Sequence, residues 1–189
     1  WRNIWVALAE TQFEYGLVTP EQVANLRAHM DQVDLARSLE IEHVIKHDLM
    51  AEIRVFAEQA KIGGGVIHLG ATSMDVEDNA DAIRLRHSMD LVLVSLKSLL
   101  EILIQLIDRY ADTPLIAYTH LQPAEPSTLG YRLALYAQDL HQDLRSIETS
   151  RNAIRGKGFK GAVGTGASYA ELIGSENLVD FEYKLSEKL

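Results

Sequence analysis

Between Asp75 and Tyr110 nothing in the sequence breaks a helix: 36 residues pass without a Gly or a Pro. At 1.5 Å per residue that is a rod of about 54 Å. Leu85, Met89, Val92, Leu96, Leu99, Leu103, Leu106 and Tyr110 alternate in steps of four and three, a heptad seam. Leu93, Leu100 and Ile107 form a second stripe, with Leu91 and Ile104 beside them, and between His87 and Ile107 only Asp90, Lys97 and Glu101 are charged. A helix apolar on several faces needs neighbours on several sides. The rest of the chain has few helices long enough to cover it, so the expected fold is an all-α, long-helix bundle completed by oligomerisation.

The other segments read mostly as helix. Trp1, Trp5, Leu8 and Gln12 have helical spacing, and Gly16 follows as a stop. Thr19-Pro20-Glu21-Gln22 combines an N-cap, a first-turn Pro and a capping box. Further helices are expected over Asp34 to Val44, His47 to Ala60 and Ser127 to Ile154, with two short ones closing the chain. Gly63, Gly64, Gly65 and Gly70 fall within eight residues and exclude regular helix there. Only Leu115 to Tyr118 hints at strand alternation.

Composition excludes several functions. The 189 residues carry a net charge of −9, which argues against general nucleic-acid binding. Cysteine is absent, removing disulfides, thiolate metal sites and cysteine nucleophiles. No basic start precedes an apolar run, and the most apolar run, Leu91 to Ile107, carries Lys97 and Glu101, so neither a signal peptide nor a membrane span is expected. A cytoplasmic location fits best. The chain starts at Trp1 rather than Met, as a piece of a longer protein would.

Four places could carry chemistry. His43 and His47 are four apart, a spacing that holds metal on one helix face, but Val44 replaces the usual Glu and no third ligand is evident; no metal is expected. Gly156-Lys-Gly158-Phe-Lys-Gly161 matches a dinucleotide fingerprint literally, but it follows a helix rather than a strand. Around it Arg151, Arg155, Lys157 and Lys160 meet no acid up to Ala170, a positive patch that either binds anions or simply matches a helix dipole. Thr72-Ser73, at the start of the long helix, is either a carboxylate pocket or an ordinary cap. Thr119-His120 lies in a Pro-flanked loop, where a histidine could exchange protons or do nothing special.

Three stretches together resemble the fumarase/aspartase superfamily: His68-Leu-Gly-Ala-Thr-Ser-Met-Asp-Val-Glu-Asp-Asn79, Thr119-His-Leu-Gln-Pro-Ala-Glu-Pro-Ser-Thr128 and Gly158-Phe-Lys-Gly-Ala-Val-Gly-Thr-Gly-Ala-Ser168. Ahead of them, Lys46-His-Asp-Leu-Met-Ala51 resembles a basic-His-Asp motif of the same group, and the four occur in the family's order over nearly the whole chain. Their wording is closer to the superfamily's purine-pathway branch than to fumarase or argininosuccinate lyase. The resemblance implies a β-elimination that releases fumarate without metal or organic cofactor. It implies His120 as general acid and Thr119 as a substrate contact. It also implies Lys46, His47 and Asp48 as substrate-binding, Thr72 and Ser73 as the holders of the succinyl carboxylates, and His68 as a further site histidine. The implied partners are a small anionic substrate and identical subunits, a homotetramer with shared sites.

Two departures stand out. Gly166 occupies the place where the family often has Gln. Nothing in the chain matches the loop whose serine is the family's base, so these residues alone are expected to be inactive. In family terms residues 1–72 end an N-terminal domain and 73–189 begin the central bundle. A sister lyase or cycloisomerase and a non-catalytic helical scaffold are the rival readings.

Overall fold

A computed structural model describes all residues, Trp1 to Leu189. Eight α-helices and one hairpin follow in order: α1 Arg2–Glu14, α2 Pro20–His29, α3 Leu35–Ile45, α4 Asp48–Gln59, α5 Ser73–Arg109, β1 Pro114–Thr119, β2 Gln122–Thr128, α6 Leu129–Ala153, α7 Ala167–Ile173 and α8 Leu178–Glu187. By compactness they form two units, Trp1–Ile83 with Gly156–Leu189, and Arg84–Arg155. No helix is long and apolar enough to cross a membrane.

Local signals set the helix ends. The Thr19 hydroxyl accepts from the Gln22 N–H while the Gln22 side chain accepts from the Thr19 N–H, the expected capping box. Asp34 and His47 cap α3 and α4 with their side chains. Lys46 between them is left-handed, with φ of 57°. The expected pairing of His43 with His47 on one helix face is therefore wrong: His43 sits on α3, and His47 begins α4 beyond the left-handed residue.

In the first unit α1 is buried on nearly all sides, with Ile4, Trp5, Leu8 and Ala9 packed among Leu26, Leu49, Phe56, Tyr169, Phe181 and Leu185. Its one buried cation, Arg2, pairs with Glu52 at 2.6 Å and lies over the Phe56 ring. An ion pair this buried offsets its desolvation only when well bonded. Arg2 adds the Gln59 side chain and the carbonyls of His29 and Gln32.

In the second unit α6 runs back along α5, joined by Arg151–Asp90 and Lys97–Glu148 ion pairs. Leu93 and Leu100 on α5 are both buried. Along the heptad seam Leu85, Val92 and Leu99 stay exposed, as do Leu91, Val94, Ile102 and Ile104 around them. One helix cannot cover a surface apolar on several sides, so much of it is bare in the single chain.

The Pro-flanked loop expected around Thr119 is a β-hairpin. β1 and β2 pair antiparallel, with Thr119 opposite Gln122 and an irregularity between Ile116 and Tyr118. Pro123 and Pro126 are tolerated because a two-stranded sheet has only edge strands. The helix expected from Ser127 starts two residues later, where the Thr128 hydroxyl caps it through the Tyr131 N–H. Gly130 sits so close to Ile107 and Ala111 that a Cβ there would approach the Ile107 carbonyl oxygen to 2.7 Å.

Candidate active site

The glycine-rich loop does bind an anion, but the anion belongs to the chain. Asp75, in the first turn of α5, is completely buried. Its carboxylate accepts the N–H groups of Thr72 at 3.2 Å, Lys160 at 3.3 Å and Gly161 at 3.1 Å, together with the Tyr169 hydroxyl at 3.3 Å and Lys157 Nζ at 3.4 Å. Asn79, one turn on, accepts from the Gly158 N–H and donates to its carbonyl. Burial and the neighbouring Asp75 charge hold the Tyr169 phenol far above its ordinary pKa, so it stays protonated and donates to Asp75.

The positive patch expected from Arg151 to Lys160 is thereby largely neutralised. Lys157 meets Asp75, Lys160 meets Glu182 at 2.8 Å, and Arg151 makes a two-pronged pair with Asp90 at 2.9 Å. Each acid comes from a distant part of the chain, which a linear charge count cannot reveal.

The α5 N-terminus stays open as a result. Thr72 occupies the N-cap position, yet the reciprocal cap bond is made by the Asp75 carboxylate to the Thr72 N–H. The hydroxyls of Thr72 and Ser73 engage no protein group, and both residues are half-buried. The N–H groups of Ser73 and Met74 have no acceptor within the chain, as first-turn donors of a helix do not. Hydroxyls and free N–H groups at the positive end of a long helix suit a carboxylate.

His68, four residues upstream, has a left-handed backbone with φ of 66°. Its Nδ1 accepts a hydrogen bond from the indole N–H of the fully buried Trp5 at 3.1 Å. Burial lowers its pKa, with Asp75 acting against that and His47 with it. His47 is exposed at the start of α4, its Nδ1 3.4 Å from the Met50 N–H and 3.6 Å from the Asp48 carboxylate. Glu77 on α5 is raised by burial and by the nearby Asp48 charge. His47, Asp48, His68, Thr72, Ser73 and Glu77 thus gather in the first unit, with Lys46 exposed beside His47.

Thr119 and His120 lie in the second unit, on the hairpin. His120 and Leu121 form its two-residue turn, both left-handed at φ of 48° and 63°. Such turns favour Asn and Gly, and two ordinary side chains there store strain. The His120 side chain is exposed and unbonded within the chain. No group of three or more His, Cys, Asp or Glu is placed to share a metal ion.

Sequence reasoning passed over Asp75, Glu77 and Trp5. Thr72-x-x-Asp75 was a legible capping signal. For Trp5 no signal existed, since an aromatic on an apolar helix face reads as core.

The profile of the lyase family matches residues 9–179. The chain belongs to that family. Among its relatives, the adenylosuccinate lyase of Saccharomyces cerevisiae is 40% identical over 176 residues, covering 91% of this chain and 36% of the relative. That of Schizosaccharomyces pombe is 39% identical, covering 100% of this chain and 40% of the relative. Among solved structures, the 3-carboxy-cis,cis-muconate lactonizing enzyme of Pseudomonas putida superposes with a TM-score of 0.87 at 26% identity, over 99% of this chain and 43% of that one. A fumarate lyase of Mesorhizobium sp. BNC1 gives 0.85 at 25% identity, over 99% and 44%. The chain thus has the helical architecture expected from its long apolar helix, with one hairpin added, and spans less than half the length of these relatives.

Proposed function

We propose that this lyase chain is part of an adenylosuccinate lyase, which eliminates fumarate from adenylosuccinate and from the succinylated carboxamide precursor of purine synthesis. The observation that carries this is its 40% identity, over 91% of its length, to a protein of that name. In the reaction a base takes a proton from the carbon next to a carboxylate, the C–N bond breaks, and an acid protonates the departing nitrogen. His120 is the acid, held at the tip of a strained turn, and Thr119 contacts the substrate. The open α5 N-terminus, with Thr72 and Ser73, receives the succinyl carboxylates. Lys46, His47, Asp48 and His68 complete the binding side. No metal or organic cofactor takes part.

The exposed apolar seam of α5 supports assembly with identical subunits, a tetramer in which several chains build each site. Residues 1–72 then end the first domain of the enzyme and 73–189 begin its central bundle. The setting is cytoplasmic. The decisive assay measures fumarate release by the whole protein from adenylosuccinate, argininosuccinate and malate. Turnover of adenylosuccinate alone is expected. Release only from another substrate would favour a sister lyase, and release from none a scaffold. Residues 1–189 by themselves should be inactive, because they carry no counterpart of the serine base.

A further inference from the structure

The Trp5–His68 contact decides which nitrogen of the site histidine holds the proton. An indole N–H can only donate. The His68 Nδ1 that receives it at 3.1 Å must therefore present a lone pair, and the ring's single proton must sit on Nε2. The two rings meet edge to face at 86°, which sets the plane of the imidazole. Trp5 is itself immobilised, with no exposed surface and the Phe56 ring 6.2 Å away. Nε2 at the other end of the ring has no partner in the chain and is not buried. Two charged or titratable groups bear on the ring: Asp75 from α5 favours the protonated form and His47 from the start of α4 opposes it, while α1 supplies only the uncharged indole.

We infer that Trp5 is a positioning residue that locks His68 as the neutral Nε2–H tautomer, so that His68 offers the ligand at the α5 N-terminus one uncharged hydrogen-bond donor and no base. This deepens the lyase reading and rests on it for the identity of the ligand. Protonating Nδ1 would set two N–H groups against each other and leave a fully buried indole donor unsatisfied. His68 therefore donates to a carboxylate or phosphate oxygen without carrying charge or shuttling protons, which leaves proton transfer to other groups. An orienting partner on one imidazole nitrogen commonly sets what the other can do.

The test is nitrogen NMR of the protein labelled with ¹⁵N-histidine, His68 being assigned by its loss in H68Q. At about pH 7 the expected spectrum has a bare Nδ1 and a protonated Nε2, and His68 should stay neutral below the ordinary histidine value of about 6.5. A protonated Nδ1 at neutral pH would overturn the inference. In W5F the donor is gone but the aromatic packing persists. His68 should then become a mixture of tautomers that protonates more readily, and a wild-type tautomer in folded W5F would remove Trp5 from the role. If W5F does not fold, the wild-type spectrum still decides the tautomer. In active enzyme, W5F should raise KM about three- to tenfold, the equivalent of one neutral hydrogen bond, with a smaller change in kcat. An unchanged KM would count against the positioning role. An absence of lyase turnover would sink the functional reading and leave the NMR result standing.

Discussion

The Asp75 carboxylate accepts the Gly161 N–H at 3.1 Å, binding the first turn of α5 to a loop 86 residues further along the chain. This bond and its four companions determine what stays available around them. The Asp75 N–H bonds the Thr72 carbonyl at 3.0 Å, which leaves the Thr72 hydroxyl out of the cap, and because the Asp75 carboxylate holds Lys157, one cation of the loop is turned inward.

Replacing Asp75 by Asn should destabilise the protein by about 2–4 kcal/mol, since it removes the charge while leaving buried donors around an amide that also donates. Chemical denaturation of D75N against wild type measures this. A change below about 0.5 kcal/mol, typical of neutral surface substitutions, would mean that the cluster contributes little.

Gly166 is the N-cap of α7 and lies in the left-handed region, with φ of 68°. Introducing Gln, the residue often found there in the family, should cost about 1–2 kcal/mol of stability. Its Cβ would also come within 3.3 Å of Leu178. Thermal melting of G166Q should show the loss; an unchanged melting temperature would mean that the backbone can leave the left-handed region there.

Leu121 is almost wholly exposed at 93% and left-handed, so its side chain gains little from packing while its backbone is strained. L121G should stabilise the hairpin by about 0.5–1 kcal/mol, the relief of φ strain less the extra freedom of glycine when unfolded. A lower melting temperature would show that the apolar side chain contributes something the single chain does not reveal.

His120 carries the proposed acid role. In the whole enzyme, His120→Gln should cut turnover by about 10²–10⁴. A rate within a few-fold of wild type would assign the proton to another group.

Burial lowers the pKa of His68. The folded state therefore binds less proton there than the unfolded chain, whose histidine titrates near about 6.5. The resulting stability is fully present above that pH and is lost as the pH falls through the folded value. Urea titrations at about pH 7.5 and about pH 5.5 should show wild type losing more stability than H68Q. Equal losses would mean that His68 protonates freely in the fold. Glu77, raised by burial, acts oppositely, since its stability contribution falls as rising pH ionises it, so the difference between the two proteins is the quantity to read.

Much of this fold was legible in one dimension because helices report their own boundaries. The Thr19 capping box, the Asp34 and His47 caps and the unbroken run into α5 are interactions among residues a few positions apart. The order of the motifs likewise carried the family. The hairpin was harder to read, because proline-rich β2 becomes a strand only by pairing with β1 across a turn of two non-glycine residues. Which side chains of α5 are covered was also a tertiary decision, since the equally apolar heptad seam ends with Leu85, Val92 and Leu99 exposed while Leu93 and Leu100 beside it are buried. The same holds for charge. Arg151, Lys157 and Lys160 look unopposed along the chain, and only folding brings Asp90, Asp75 and Glu182 against them. The proton on His68 depends on Trp5, 63 residues away, through a contact that no local pattern encodes.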